Sequence, residues 1–488
     1  MGLIMSMNVN IAQSILEKLK DHSAPIIKYD ANELTGQAFF AKVESRQTYF
    51  CQRLSKLTKC LVFTGRGLDY WVDLLALMAG GHIAIPIPYS IENLTLQTII
   101  SIANPDAQVG CPERLLSEVT NLTDIETMSV SSQEPKVFAT QAATTAAIIF
   151  TSGSTGRPKG AELSHQSLLG NCQATTAVLE LKPTDRLFMS TPFQFVSAIS
   201  HFLVSLNSLA CFVCDETKRM QADLVGRIKE EKANCFGGAP LQLRWLCEAI
   251  EEGGLHLDWV MSSGDHLNPD IIARLKKINP HININVVYGM TELGGRFCIL
   301  PNAKIDGLEH TVGKPLIGFH VRVVDEENQT LTANEIGEVQ VSGDFVLKSY
   351  FNDPENSAAS FVGEWFRTGD VGRFNEQGYL EILGRRDDVF KVAGQKVSAV
   401  LISDVLQSLD IFQDVFVTVK EHPIIGNVPV AMYTRKGSEP APKKGAIISK
   451  MVGLLPQNHI PFEFIEVADI PRTGSGKVIR KAIVEICA

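Results

Sequence analysis

The chain has 488 residues, 45% of them hydrophobic, and a formal net charge of −9. A chain of this length and apolar content can bury cores for two or three domains. The acidic balance and the lack of any run of five or six like charges argue against nucleic acid as the main partner.

The N-terminal segment does not look like a targeting sequence. It lacks the basic start and the long apolar core of a secretory signal. Gly2 and Ser6 match the short myristoylation pattern, but this pattern is so permissive that we give the match no weight. The most apolar stretch, residues 70–89, contains Asp73 and His82 and is cut by two glycines and a proline. No transmembrane segment is therefore predicted, and we expect a cytoplasmic protein.

The first half of the chain alternates between strand and helix patterns. Residues 59–65 (KCLVFTG) predict a strand, followed by an amphipathic helix that ends before Gly80 and a buried strand over residues 82–88. Further on, the patterns predict a strand at 210–215 and a helix at 220–232. Residues 256–265 and 283–292 are each predicted to be an apolar strand that runs out into a polar loop. This alternation is typical of layered α/β architecture with mostly parallel strands, in which ligands bind beyond the carboxyl ends of the strands.

The ten cysteines give no sign of a metal site. Only Cys211 and Cys214, in the predicted strand at 210–215, form a CxxC pair. Without a second such pair or a nearby pair of histidines, zinc is not expected. We predict reduced, buried thiols, in agreement with a cytoplasmic location.

The pattern changes in the last third of the chain. From about residue 300, short strands separated by Gly and Asn turns predict a smaller β-rich subdomain. Charged residues interrupt two apolar strands at 384–396 (GRRDDVFKVAGQK), and we expect a domain boundary there. The prediction is a large N-terminal domain over residues 1–386 and a small, mobile α+β domain over residues 387–488.

One loop has the composition of a phosphate-binding site. Residues 151–160, TSGSTGRPKG, combine three glycines, four hydroxyl residues and two cations directly behind an apolar strand. The glycines leave backbone N–H groups free to surround an anion, the hydroxyls add donors, and the cations offset the charge of a polyphosphate. The stretch lacks the GxxxxGK[ST] spacing of a Walker loop. Taken alone, its composition would usually indicate only a flexible hairpin tip.

Five further motifs accompany this loop in order along the chain. They are YGMTE (288–292), GEVQVSG (337–343), WFRTGD (365–370), GRRDD (384–388) and PRTGSGKVIRK (471–481). Together with the loop they resemble the adenylate-forming family, which comprises acyl- and aryl-CoA synthetases, luciferases and the adenylation domains of peptide synthetases. The resemblance runs from about residue 60 to the C-terminus. It implies ATP-dependent activation of a carboxylic acid to an acyl-AMP, with release of pyrophosphate.

The resemblance also implies residues that bind the phosphates of ATP. Thr291 would contact the α-phosphate. Glu292 would help to hold Mg²⁺, because a carboxylate beside phosphates requires a cation between them. The β- and γ-phosphates would be held by the glycine-rich loop, through Thr151, Ser152, Gly153, Ser154, Thr155, Gly156 and Lys159.

The nucleoside has its own implied residues. Asp370 would accept hydrogen bonds from the ribose hydroxyls, assisted by Arg385. Adenine would pack along two loops, at Gly264, Asp265, Tyr288 and Gly289. Seen alone, Asp370 and Arg385 could equally be a surface ion pair and Tyr288 an ordinary core residue. The segment SSGDHL (262–267) departs from the commoner family sequences, so the adenine loop is expected to be slightly rearranged.

The catalytic cation implied by the resemblance is Lys477. A carboxylate and a triphosphate repel each other, and a mobile ammonium that bridges them lowers this barrier. No general base is needed, because the acid is already ionised at neutral pH.

The resemblance implies a second step, in which a thiol attacks the acyl-AMP. The small domain would rotate about Asp387, withdrawing Lys477 and presenting residues 391–396. Gly394 would line the pantetheine tunnel, and Lys391 would add a cation there. Leu401 and Ser403 stand where the family usually has two glutamates, so the helix that follows is expected to differ.

The acid substrate is only partly indicated. Peptide-synthetase domains usually place an Asp, which pairs with the substrate ammonium, where this chain has Gln194. Burying an α-ammonium without that counter-ion is unfavourable, so an α-amino acid is not expected. Phe193 and Phe195 instead suggest an apolar pocket for an aromatic or aliphatic tail, although both could simply pack in the core.

The sequence leaves two thiols as candidates for the acceptor of the acyl group. CoA is the leading prediction, and the alternative is the phosphopantetheine arm of a carrier protein. A non-catalytic nucleotide-binding relative is a third hypothesis, against which stands the presence of Lys477, Glu292 and Asp370.

Overall fold

The computed structural model describes residues 10–128, 136–152, 157–216, 221–392, 395–422, 426–437, 443–472, 478–479 and 482–483. The described residues form twelve α-helices: α1 (Ile11–Leu19), α2 (Gly36–Cys51), α3 (Leu68–Ala79), α4 (Asn93–Ala103), α5 (His165–Leu179), α6 (Val196–Asn207), α7 (Gln221–Glu230), α8 (Pro240–Glu251), α9 (Pro269–Ile278), α10 (Pro354–Ala359), α11 (Ala399–Ser408) and α12 (Lys444–Met451). None of these helices combines the length and the apolar character needed to cross a bilayer.

The strands in the described residues, in chain order, are β1 (Pro25–Tyr29), β2 (Asn32–Thr35), β3 (Lys59–Phe63), β4 (Ile83–Ile87), β5 (Ala107–Val109), β6 (Thr123–Asp124), β7 (Thr145–Ser152), β8 (Pro158–Ser164), β9 (Arg186–Met189), β10 (Cys211–Cys214), β11 (Cys235–Gly238), β12 (Trp259–Ser262), β13 (Asn283–Tyr288), β14 (Cys298–Leu300), β15 (Lys314–Pro315), β16 (Phe319–Val324), β17 (Gly337–Gly343), β18 (Phe361–Val362), β19 (Trp365–Phe374), β20 (Leu380–Arg385), β21 (Val389–Val392), β22 (Gln395–Ser398), β23 (Phe412–His422), β24 (Gly426–Arg435) and β25 (Glu463–Glu466).

Two large sheets form the first part of the molecule. The nine-stranded sheet has the order β15-β14-β13-β12-β11-β9-β10-β1-β2, and the six-stranded sheet has the order β6-β5-β3-β4-β7-β8. The central strands of each sheet are parallel, and antiparallel pairs lie at the edges. The prediction of a layered α/β architecture with mostly parallel strands is confirmed.

Helix α3 lies between the two sheets. Every residue from Tyr70 to Ala79 is buried, Asp73 included, so the helix is buried on all sides and the prediction of an amphipathic helix is wrong. It contacts β3 and β4 of one sheet, and the Trp71 ring packs edge-on against Phe212 of the other, with 5.3 Å between ring centroids. The helix ends at the predicted glycines. Gly81 has φ +79°, and a Cβ there would lie 2.4 Å from the carbonyl oxygen of Phe138, so only glycine fits this exit.

The predicted β-rich subdomain is a five-stranded antiparallel sheet, in which β17 pairs with β16 and β19, and β19 also pairs with β18 and β20. The remaining elements are the hairpin β21–β22, the sheet β23–β24–β25 and the helices α11 and α12. These last elements bury an apolar cluster of their own, which includes Phe390, Ile402 and Val417. The predicted fold class, a large layered domain with a β-rich part followed by a small α+β domain, is confirmed.

The described cysteines are free thiols, as predicted. Eight of these nine cysteines are buried, and Cys111 is half-buried. Cys211 and Cys214 both lie in β10, and burial raises the pKa of both thiols.

Candidate active site

The phosphate loop connects two antiparallel strands. The register of β7 and β8 sets Thr151 opposite Lys159 and Ser152 opposite Pro158. The hairpin therefore holds the two ends of the glycine-rich stretch together, with Lys159 at its base. The predicted phosphate ligands Gly153 to Gly156 lie outside the described residues.

Tyr350 contacts both Lys159, a cation of the phosphate loop, and Glu292, the predicted magnesium ligand. The ammonium of Lys159 lies 5.2 Å from the centroid of the Tyr350 ring. The Tyr350 hydroxyl donates a hydrogen bond of 2.8 Å to Glu292 Oε1. Burial and then the negative charge of Glu292 raise the pKa of Tyr350, so its hydroxyl stays protonated and fixes one carboxylate oxygen.

Thr291 and Glu292 lie in a single 3-10 turn that directly follows β13. Glu292 is also fixed through its backbone, because its carbonyl oxygen accepts a 2.8 Å hydrogen bond from Leu347 N. The two predicted phosphate-site residues thus occupy a carboxyl-end loop of the nine-stranded sheet, where ligands bind in such folds.

The predicted ribose and adenine residues come together around Asp370. This aspartate lies in β19, opposite Arg385 of β20, and its side chain is 10% exposed. Arg385 Nη1 lies 3.2 Å from Asp370 Oδ1 and donates a 2.7 Å hydrogen bond to the carbonyl oxygen of Thr368. Tyr288, at the end of β13, donates its hydroxyl to Asp370 Oδ2. Burial and the Asp370 charge raise the pKa of Tyr288 well above its usual value, so the phenol stays neutral and keeps donating.

Gly289 is required by the turn that joins Tyr288 to Glu292. A Cβ at this position would lie 1.7 Å from the carbonyl oxygen of Gly295. The turn closes with a 3.1 Å hydrogen bond from Phe297 N to the carbonyl oxygen of Tyr288. A side chain at residue 289 would force this turn apart and displace both Tyr288 and Glu292.

The predicted adenine loop is exposed. Gly264 has φ +92° and no atom within 4 Å of its Cβ position. Asp265 Oδ1 accepts a 2.8 Å hydrogen bond from His266 N, which stabilises the turn.

The predicted large and small domains meet beside this loop. His266 Nε2 lies 2.7 Å from Asp404 Oδ2 of α11, and Arg244 of α8 donates a 2.7 Å hydrogen bond to the carbonyl oxygen of Gln413. Burial opposes protonation of His266. The charge and hydrogen bond of Asp404 favour it, the charges of Asp265 and Glu381 add smaller contributions, and together these outweigh the effect of burial. The net effect raises the pKa of His266 above 6.5. Sequence reasoning missed this contact.

The contact between His266 and Asp404 should weaken as the pH rises. Because docking raises the pKa of His266, the contact contributes fully below about pH 6.5 and is lost as the pH passes through the raised value. We expect the amides of α11 to exchange hydrogen faster at about pH 8 than at about pH 6, after correction for intrinsic rates. The variant Asp404→Asn should remove this difference, and an equal pH difference in the variant would contradict the assignment.

Of the four residues predicted for the hinge, the thiol path and the catalytic cation, two lie in described elements. Lys391 lies in β21 opposite Lys396 of β22, and Asp387 lies in the 3-10 turn Arg386–Asp388 between β20 and β21. Gly394 and Lys477 lie outside the described residues. The roles of all four as tunnel, hinge and catalytic residues therefore stay predictions.

The predicted substrate residues precede α6. Phe193 is fully buried among Tyr29, Tyr70 and Trp71, and its carbonyl oxygen accepts a 3.0 Å hydrogen bond from the Tyr70 hydroxyl. Gln194 is half-buried, and Phe195 is 36% exposed. The aromatic contacts of Phe193 account for its burial, and any contact with substrate stays a prediction.

Comparison with known proteins identifies the family. The family described as AMP-binding enzyme matches residues 20–351, which is more than half of the chain. The chain therefore belongs to this family, and the predicted resemblance to adenylate-forming enzymes is confirmed.

The curated relatives of the chain include two synthases. Gramicidin S synthase 2 from Aneurinibacillus migulanus is 26% identical over 441 residues, covering 87% of this chain and 10% of the relative. Tyrocidine synthase 3 from Brevibacillus parabrevis is 25% identical over 450 residues, covering 86% of this chain and 7% of the relative. The chain thus spans a tenth or less of the length of these two relatives.

Solved structures share the fold over nearly the whole chain. ATP-bound MatB from Rhodopseudomonas palustris superposes with a TM-score of 0.87 at 23% identity, covering 98% of this chain and 99% of the other. The anthranilate CoA ligase AuaEII, in complex with anthranoyl-AMP, gives a TM-score of 0.87 at 20% identity, covering 99% and 98%. The arrangement of a large and a small domain is therefore that of known adenylate-forming enzymes.

Proposed function

We propose that this protein uses ATP to activate a carboxylic acid as an acyl-AMP, releasing pyrophosphate, and then transfers the acyl group to a thiol, with CoA as the leading acceptor. The observation that carries the proposal is the spacing of two clusters on one loop. Tyr288, which donates to Asp370, marks the nucleoside end, where Arg385 pairs with the same aspartate. Glu292, which accepts from Tyr350, marks the phosphate end. Three residues separate them, so a single nucleotide can reach both.

The residues present fit a magnesium ion held together with the phosphates of ATP. Within the described ranges no three His, Cys, Asp or Glu side chains form a metal-binding group. Mg²⁺ is usually bound by one or two carboxylates plus substrate phosphates rather than by an all-protein cage. Glu292 would hold it here, and the ion would offset phosphate charge. Because the Tyr350 hydroxyl donates to Glu292 Oε1, Oε2 is the oxygen that would be available to hold the ion.

The buried histidines are poorly suited to acid-base catalysis. Burial lowers the pKa of His165 to about 4 and of His201 to about 3. Both imidazoles are therefore neutral at ordinary pH. This agrees with a reaction in which the nucleophile is an acid that is already ionised, and in which Lys477 reduces the repulsion between the two anions.

For the second step we propose that residues 387–488 move as a unit about Asp387. The 3-10 turn at this position separates two strands and can absorb a change in backbone direction. Lys477 would leave the site, and Gly394 and Lys391 would line the path of the thiol. The fold shared with AuaEII, whose name describes it as a CoA ligase, supports CoA as the acceptor.

The alternative acceptor is a carrier-protein phosphopantetheine. The relatives Gramicidin S synthase 2 and Tyrocidine synthase 3 favour this alternative, because family members in peptide synthetases serve as adenylation domains. Under this alternative the first step and its residues are unchanged. Only the surface around the thiol path would differ.

A panel of acids tests the proposal. Pyrophosphate release is measured with aliphatic, aromatic, α-amino and dicarboxylic acids, first without acceptor and then with CoA or with a phosphopantetheinylated carrier protein. We expect acid-dependent release and an acyl-CoA detectable by mass spectrometry. A thioester formed only on the carrier would replace CoA by the alternative, and an absence of release with every acid would overturn the function. An unphosphopantetheinylated carrier serves as the control.

A further inference from the structure

One arginine next to the predicted active site is buried and has no counter-ion among the described residues. Arg296 is 3% exposed, and neither Nη1 nor Nη2 has a hydrogen-bond partner among the described residues. Its backbone is fixed, because Asn171 Nδ2 donates to its carbonyl oxygen. Arg296 packs against the glycine turn that also positions Glu292, because a Cβ on Gly289 would lie 2.8 Å from the Cα of Arg296.

The guanidinium lies close to α5 and α6. Burial raises the pKa of Cys172 on α5 to about 12, and the charge of Arg296 opposes this rise. Burial likewise lowers the pKa of His201 on α6, and the charge of Arg296 lowers it further. The Gly295 backbone beside it packs against Ser200 of α6, whose Oγ would lie 3.3 Å from a Cβ on Gly295.

On the same two helices, other buried side-chain atoms also have no hydrogen-bond partner within the part of the chain that the structure describes. Asn171 Oδ1 and Thr175 Oγ1 lie four residues apart on α5, and His201 Nε2 and Ser205 Oγ lie four residues apart on α6, so each pair shares a helix face. His201 Nδ1 donates to the carbonyl oxygen of Ser197, which leaves Nε2 as an acceptor.

This polar region reaches the carboxyl end of the nine-stranded sheet. His201 Nε2 lies 2.4 Å from the Cβ position of Gly237, near the end of β11. Ser262, the last residue of β12, has a buried Oγ for which the described ranges offer no hydrogen-bond partner. These groups therefore lie at the same carboxyl end of the sheet as Tyr288 and Thr291.

A buried guanidinium without an anion is energetically unfavourable. Desolvation lowers the pKa of Arg296 to about 10, so the group is still a cation at neutral pH. Water can satisfy its N–H groups but cannot neutralise its charge. A ligand that brings a negative charge would do both.

We propose that the acid activated by this protein carries a second anionic group, a distal carboxylate, that binds to Arg296. This inference rests on the proposed function, because the reacting carboxylate of the same acid must face Thr291 and Lys477. A planar guanidinium can bind a carboxylate through two parallel N–H groups, and Nη1 and Nη2 are the two groups that lack partners. Arg296 is thus a specificity-determining residue.

The first test compares matched acids on the wild-type protein. Butanoate is paired with butanedioate, pentanoate with pentanedioate, and 3-phenylpropanoate with 3-(2-carboxyphenyl)propanoate, and pyrophosphate release is measured for each. For at least one skeleton we expect kcat/KM about 100-fold higher for the dicarboxylate. Release that is faster for the monocarboxylate in every pair would overturn the inference while upholding the function. No release with any acid would instead overturn the function on which it rests.

The second test changes the arginine. Arg296→Met keeps the length and removes the charge, and we expect it to lower the ratio of kcat/KM for the preferred dicarboxylate to kcat/KM for the matched monocarboxylate about 100-fold. Arg296→Lys should retain part of the preference. Arg274→Met, which removes a surface arginine paired with Glu251 on α8, is the matched control and should keep the wild-type preference. An Arg296→Met enzyme with the wild-type preference would refute the assignment.

A binding measurement separates this role from a structural one. The dicarboxylate alone should raise the Tm of the wild-type protein and leave that of Arg296→Met unchanged. Without ligand, the Tm of Arg296→Met should equal or exceed that of the wild type, because the substitution removes a buried unpaired charge. A lower Tm without ligand, together with an unchanged ligand shift, would show that Arg296 has a structural role only.

Discussion

Lys477→Ala should reduce acid-dependent pyrophosphate release about 1,000-fold or more, because the reacting carboxylate and the α-phosphate would then approach without a bridging cation. The second half-reaction should survive. Supplied acyl-AMP already contains the activated bond, so thioester formation from it needs only a thiol and its path. The two half-reactions are measured separately, as pyrophosphate release and as thioester formation from synthetic acyl-AMP.

The control for Lys477 is another lysine of the same region. Lys450 is exposed in the last turn of α12, and Lys450→Ala removes the same charge from the same part of the chain. It should leave both half-reactions at the wild-type rate. Equal loss of both half-reactions in Lys477→Ala would mean that the substitution disrupts the small domain, and the proposed role of the ammonium would be wrong.

The features that could be predicted from the sequence are those that depend on residues close to one another along the chain. The helix that ends before Gly80 and the strands on either side of it follow from apolar periodicity and from a backbone exit that only glycine can adopt. The pairing of Asp370 with Arg385 joins adjacent strands of one hairpin. Both residues lie in motifs that carry the family resemblance, so their selection did not require knowledge of the fold.

The features that sequence reasoning missed depend on contacts between distant parts of the chain. Tyr350 reaches Glu292 across 58 positions, and His266 reaches Asp404 across 138. Arg296 lies four residues after Glu292, the last residue of the YGMTE motif, yet nothing local shows that it is buried or that its guanidinium lacks a partner among the described residues. Its burial and pairing depend on the side chains of α5 and α6 that lie beside it. Helix periodicity predicts which face of a helix is buried, but not which residues that face contacts.

Phe193 shows the same limit for an apolar side chain. Its sequence context agrees equally with a substrate pocket and with core packing. Only the fold shows that Tyr70 and Trp71 surround its ring. The second carboxylate proposed for the substrate therefore follows from an unpaired charge in the structure, because the apolar residues before α6 do not specify the acid.

Asp370→Asn should raise the KM for ATP about 100-fold, with a smaller effect on kcat. An ionised aspartate offers only acceptors, whereas an asparagine replaces one oxygen by an N–H₂ donor. The amide can no longer accept from Tyr288, Arg385 and a ribose diol at once, and it leaves Arg385 without its anion. Acid-saturated pyrophosphate release at varied ATP measures the change.

Glu338→Gln makes the matched change on the adjacent strand of the same sheet. Glu338 lies opposite Val371, the residue after Asp370, and its Oε2 lies 2.9 Å from Arg367 Nη2. Because a partly exposed pair of this kind contributes about 1 kcal/mol or less, the control should leave the KM for ATP nearly unchanged. If both variants raised the KM equally and lowered the Tm equally, general weakening of the β19 sheet would explain the result, and Asp370 would lose its proposed role at the ribose. A selective effect of Asp370→Asn would place the nucleoside beside Tyr288, and Glu292 would then be the nearest predicted carboxylate to the phosphates.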